Sequence, residues 1–171
     1  MCKLDIVRDR IPDLNTGFFL WVWHADKIPP HIGCSLDGEY YSLKVSGKDM
    51  ELPVKKVLDL VERKGIAFLL VDVNQQLSKS SLFEQFSKYD KAREDRSCLT
   101  PILNVFGDPD QVNLLVDLIQ YLERNDGIKC IFGLNLPADY NGLPVYSMDE
   151  VNSRLLKLER AEKQVDISES C

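Results

Sequence analysis

Residues 17–48, GFFLWVWHADKIPPHIGCSLDGEYYSLKVSGK, decide how this chain folds. Gly17 to Trp23 is rich in aromatic and β-forming residues, which suit the surface of a buried strand. Pro29-Pro30 forms a turn that delivers His31 to a second strand, His31 to Leu36. Asp37-Gly38, set between two β-rich runs, is a hairpin-turn signal. Along the returning arm, Glu39 to Val45, the residues Tyr41, Leu43 and Val45 alternate with Tyr40, Ser42 and Lys44. That period of two belongs to a strand with one buried face. The expectation is a small antiparallel sheet with a histidine at its mouth.

Working outward, residues 1–15 are polar with isolated apolar positions and read as an irregular entry. Ser46 to Asp49 reads as a loop. Pro53 to Lys64 has Val54, Val57, Leu58 and Val61 on one helical face, with Pro53 suited to the first turn and Gly65 to the stop. Ile66 to Val73 is a nearly continuous apolar run, the pattern of a central strand. Leu82 to Tyr89 suggests a short helix, and the charge run Lys91 to Arg96 a solvated loop. A further helix is expected at or just after Cys98, with Pro101 tolerated near its start. Asp110 to Asn125 carries Val112, Leu115, Val116, Ile119 and Leu122 at helical spacing. Ile128 to Leu134 reads as a strand. Ser147 with Glu150 three residues on makes a capping box for a last helix. The whole reads as one α+β domain over residues 1–163, in which a small antiparallel sheet packs on helices, followed by a polar tail over 164–171.

Composition narrows the classes of function. The chain has 171 residues, 44% hydrophobic and 28% charged, the balance of an ordinary globular domain. A net charge of −6 offers no basic footprint for nucleic acid or an anionic membrane. No apolar run is long enough to span a bilayer, and the N-terminal residues lack the apolar core of a signal peptide. The five cysteines, Cys2, Cys34, Cys98, Cys130 and Cys171, are odd in number and irregularly spaced. No C-x-x-C pair supports a zinc or dithiol site, and a cytoplasmic chain with reduced thiols fits best.

The candidate chemistry is nucleophilic. A cysteine attacks as thiolate, so its pKa must be lowered, by an imidazole or by the positive end of a helix. Cys98 stands where a helix is expected to begin, and His31 opens a strand. His24 is the competing base. Cys34 and Cys130 read as strand core, Cys2 and Cys171 as inert terminal thiols. Trp21 and Trp23 read as core or as a platform beside the site.

At these residues the chain resembles a known superfamily. Gly17-Phe18-Phe19-Leu20, Ile28 to Gly33 and Asp37-Gly38-Glu39-Tyr40-Tyr41-Ser42 are similar to the histidine region of NlpC-type papain-like cysteine peptidases. The order of His31, Ser42 and then Cys98 resembles its circularly permuted branch, which includes the YiiX-like and lecithin retinol acyltransferase-like proteins. The resemblance implies a papain-like fold in permuted order. It also implies Cys98 as nucleophile, His31 as base and Ser42 near the position that orients the imidazole, where the family more often carries His, Asn, Gln or Glu. The expected activity is hydrolysis or acyl transfer on an amide, ester or thioester, with a small-molecule, peptide or lipid acyl substrate. Neither a metal nor an organic cofactor is implied. The alternative is a non-enzymatic α+β module binding a protein partner through the aromatic strand Phe18 to Trp23.

Overall fold

The computed structural model describes residues 2–169, and side chains through residue 162. A seven-stranded sheet is formed, in spatial order, by Val7–Arg8 (β2), Ile128–Leu134 (β8), Phe68–Val73 (β7), Phe18–Trp23 (β3), His31–Leu36 (β4), Glu39–Lys44 (β5) and Gly47–Pro53 (β6). Its centre is β3 (Phe18–Trp23), paired antiparallel with β4 (His31–Leu36) on one side and β7 (Phe68–Val73) on the other. All six residues of β3 are buried, because both faces of the sheet are covered. That is why β3 and β7 read as continuous apolar runs rather than alternating ones.

The two faces have separate cores. Phe18, Leu20 and Val22 of β3, Ile32 and Cys34 of β4, and Leu43 of β5 (Glu39–Lys44) belong to one. Over it lie α2 (Lys79–Ser87), α3 (Thr100–Val105), α4 (Leu115–Arg124) and α5 (Met148–Glu169), contributing Phe86, Ile102, Leu118 and Leu155. Phe19, Trp21 and Trp23 face the other way, with Tyr40 and Phe68, under Val54, Val57 and Val61 of α1 (Val54–Lys64). The ring centroids of Trp21 and Tyr40 lie 5.0 Å apart and those of Trp23 and Phe68 5.4 Å, both edge-on, the arrangement ring quadrupoles favour.

The α+β class is as expected, and several elements form where local pattern placed them. Gly65 ends α1 in the left-handed conformation, at φ 57°. The Ser147 hydroxyl accepts from the Glu150 N–H at 3.3 Å, while Glu150 accepts from the Ser147 N–H at 2.8 Å, which completes the capping box of α5.

Four segments differ. The sheet is larger than expected and not wholly antiparallel: β2 (Val7–Arg8) runs parallel to β8 (Ile128–Leu134), and β1 (Cys2–Lys3) pairs with β9 (Gly142–Leu143). Two-residue strands carry too little pattern to be read locally, which is why residues 1–15 look irregular. The expected loop at Ser46 to Asp49 is instead a tight turn into β6 (Gly47–Pro53), paired with β5. Its polar residues Lys48, Asp49 and Glu51 suit an edge strand. The helix expected from Asp110 starts only at Leu115, because the Asp117 carboxylate accepts the N–H groups of Asn113 and Leu114 at 3.1 and 2.9 Å and fixes the first turn there. Residues 164–169 continue α5, and Cys171 lies outside the described residues.

Candidate functional site

Cys98 lies in the segment between α2 and α3, one residue before the Leu99 that precedes the first turn of α3. Pro101 sits in that turn, where its missing N–H costs nothing. The thiol packs against the core face that holds Ile32 and Leu43. Burial pushes its pKa up, while the backbone N–H groups of Ile32, Cys98 and Leu99 pull it back. Burial wins, so the resting sulfur is a protonated thiol.

His31 is the first residue of β4, paired with Trp23 of β3. Burial lowers its pKa to about 4, Lys44 and His24 push the same way, and Asp49 opposes them. The imidazole is therefore neutral near pH 7, the form that can accept a proton. None of the hydrogen bonds among the described residues engages the imidazole of His31 or of His24. His24 is exposed and left-handed at φ 52°, in the turn after β3.

Ser42 does not stand alone. Its hydroxyl donates to Asp49 Oδ2 at 2.9 Å, and Lys44 Nζ donates to Asp49 Oδ1 at 2.7 Å. Asp49 is the cross-strand partner of Ser42 on β6. Beside them the Tyr40 phenol receives the Trp23 indole N–H at 2.9 Å. The acid that acts on His31 is thus Asp49, held by Ser42 and Lys44. Sequence reasoning missed it because its strand reads as a loop. Met50 and Leu52, alternating with Asp49 and Glu51, were the short signal available.

Gly33, in the H-x-G pattern, has a packing reason to be glycine. A Cβ there would meet the Tyr40 phenol oxygen, with Cζ at 2.7 Å and Cε2 at 2.8 Å. Tyr40 can lie across the strand only because that position is bare.

Strand register separates the two candidate groups. Along β4, Ile32 and Cys34 enter the core face that Cys98 packs on. Side chains alternate along a strand, so His31 leaves from the opposite face, with Gly33 and Ser35. Both residues nevertheless line one cleft of about 1110 Å³. Trp23 and Lys44 from one face, and Ile32, Leu43 and Val45 from the other, contribute to its wall. The cleft therefore passes round the end of β3, β4 and β5. Val151, Leu155 and Leu158 of α5, with Tyr146 and Leu115, also line it.

The Tyr146 phenol is the second group that sequence did not single out. It is 8% exposed and accepts the Leu115 N–H at 3.3 Å. Burial holds its pKa well above the usual tyrosine value, and the Cys98 thiolate would raise it further. Cys2, Cys34, Cys98 and Cys130 are free thiols. Cys34 is sealed in the core, with its pKa pushed far up by burial. Among the described residues no cluster of three His, Cys, Asp or Glu is placed to hold a metal ion, and no helix is long and apolar enough to cross a membrane. No protein-family model matches this chain, and no curated protein or solved structure is significantly similar to it.

Proposed function

We propose that this chain is a thiol hydrolase or acyltransferase in which Cys98 attacks an amide, ester or thioester carbonyl and His31 accepts the thiol proton. The observation that carries the reading is that both residues line one large, mainly apolar cleft. The resting pair is thiol and neutral imidazole rather than an ion pair. Proton transfer therefore accompanies attack, round the end of β4, by an imidazole turned toward the cleft or through one bridging water. Asp49, held by Ser42 and Lys44, offsets part of the push that burial and Lys44 exert against the imidazolium. The acyl-thioester on Cys98 then passes to water or to an acceptor.

The test is acylation by p-nitrophenyl acetate, with release of p-nitrophenolate followed in time and the acetyl group located by mass spectrometry. The expected result is acetyl on Cys98, none in Cys98→Ala, and a rate lowered about 100-fold or more in His31→Ala, the scale of a lost general base. Acetyl appearing equally on Cys2 or Cys130, or a His31→Ala rate equal to that of the parent, refutes the reading.

A second reading, a non-enzymatic binding module using the same cleft, draws on the burial that keeps the Cys98 thiol protonated. It predicts that Cys98→Ala retains ligand affinity while the parent protein turns nothing over.

A further inference from the structure

The cleft wall carries a charge opposite in sign to that of the molecule. The chain has a net charge of −6, yet the cationic side chains of Lys27, Lys44, Lys91 and Arg154 line the cleft against a single carboxylate, that of Glu162. They come from separate segments: the connection from β3 to β4, the end of β5, the stretch after α2, and α5. The small hollow of about 310 Å³ beside Pro137 has the reverse lining, with Asp26 and Asp139 and no cation. Positive charge is thus gathered at the cleft in particular. Like charges brought together raise the free energy of the fold unless counter-charges offset them. Asp26 lies 3.6 Å from Lys27, Asp49 2.7 Å from Lys44, and Glu162 4.0 Å from Lys91. Arg154 alone among these cations has neither an ion pair nor a hydrogen bond among the described residues.

The wall around Arg154 is apolar. Val151, Arg154, Leu155, Leu158 and Glu162 recur at helical spacing on the cleft side of α5, a run of about 16 Å along the axis. An extended dodecyl chain matches that length. From the β3–β4 connection Ile28 lines the same cleft while 49% exposed, so apolar surface there is left for a ligand to cover. We propose that the cleft is a binding site for a long-chain carboxylate, in which Arg154 recognises the carboxylate and the apolar wall takes the chain. The guanidinium fork donates two N–H bonds to one carboxylate, and burial of the chain removes its own surface and that of the wall from water. Glu162 does not oppose this, since it stands about 12 Å along α5 from Arg154 and faces Lys91. Such selectivity is a property of the cleft wall and goes beyond the thiol chemistry proposed above, on which it does not depend.

Isothermal titration calorimetry in a Cys98→Ala background measures this binding apart from any acylation. The probes are dodecanoate, dodecyltrimethylammonium and butyrate, each kept below its micelle concentration. Attraction to the molecule as a whole, at a net charge of −6, favours the cationic probe, so a preference for dodecanoate reports the cleft. The expected outcome is saturable dodecanoate binding, with dodecyltrimethylammonium and butyrate each weaker by about tenfold or more. Arg154→Gln should weaken dodecanoate about tenfold, the scale of a lost charge-assisted hydrogen bond. Arg160→Gln removes the same charge from the same helix at an exposed position outside the cleft, and should stay within about twofold of the background. Both arginines are exposed, and melting curves without ligand should be unchanged. The proposal is overturned if dodecanoate shows no saturable binding, if the two dodecyl probes bind equally, or if the two arginine variants lose equally. Dodecanoate binding as expected, in a protein that p-nitrophenyl acetate never acylates at Cys98, upholds the site and refutes the thiol chemistry alone.

Discussion

The pKa of His31 makes a prediction about stability that can be worked through. Burial, with Lys44 and His24 assisting, lowers the folded-state pKa to about 4 from an unfolded value of 6.5. The folded protein therefore binds a proton on His31 less readily than the unfolded chain does. This contribution to stability is fully present above the unfolded pKa, and it is lost as pH falls below 6.5 toward 4. A difference of one between folded and unfolded pKa is worth about 1.36 kcal/mol, so linkage gives a loss of about 2 kcal/mol by pH 5 and about 3 kcal/mol by pH 4. Other groups titrate over the same range. The measurement is therefore a difference: urea unfolding free energies of the parent and of His31→Gln at about pH 7.5, 5 and 4. The parent should lose about 3 kcal/mol relative to the variant across that range. Parallel pH profiles for the parent and His31→Gln would refute this reasoning, as would a His31 ring resonance titrating near the unfolded value.

Two other outcomes follow from packing. Gly33→Ala forces a methyl into the Tyr40 ring and disturbs the Trp23–Tyr40 hydrogen bond; overpacking plus that bond predicts about 2–4 kcal/mol of destabilisation in urea unfolding, and a cost under about 0.5 kcal/mol would show that the ring moves freely aside. Ser147→Ala removes the cap of α5 and should cost about 1 kcal/mol, detectable as a lower melting temperature with unchanged helix content; a melting curve identical to that of the parent would place the anchoring of α5 in its Val151 and Leu155 contacts instead.

Sequence alone determined the parts of this protein whose cause is local. The hairpin at Asp37-Gly38, the apolar run of β7, the glycine stop of α1 and the capping box of α5 each lie within a few residues of what produces them. The site was legible only as a set of reactive side chains, Cys98, His31 and Ser42. Tertiary structure decided how they stand to one another. The register of β4 sends His31 and Ile32 to opposite faces, and a pattern of period two cannot say which face a distant cysteine will pack on. Pairing of β6 with β5 brought Asp49 to Ser42, and the packing of the segment before α5 brought Tyr146 to the cleft that holds Cys98. Those contacts join residues far apart in the chain, and only burial of both sheet faces at once fixes them.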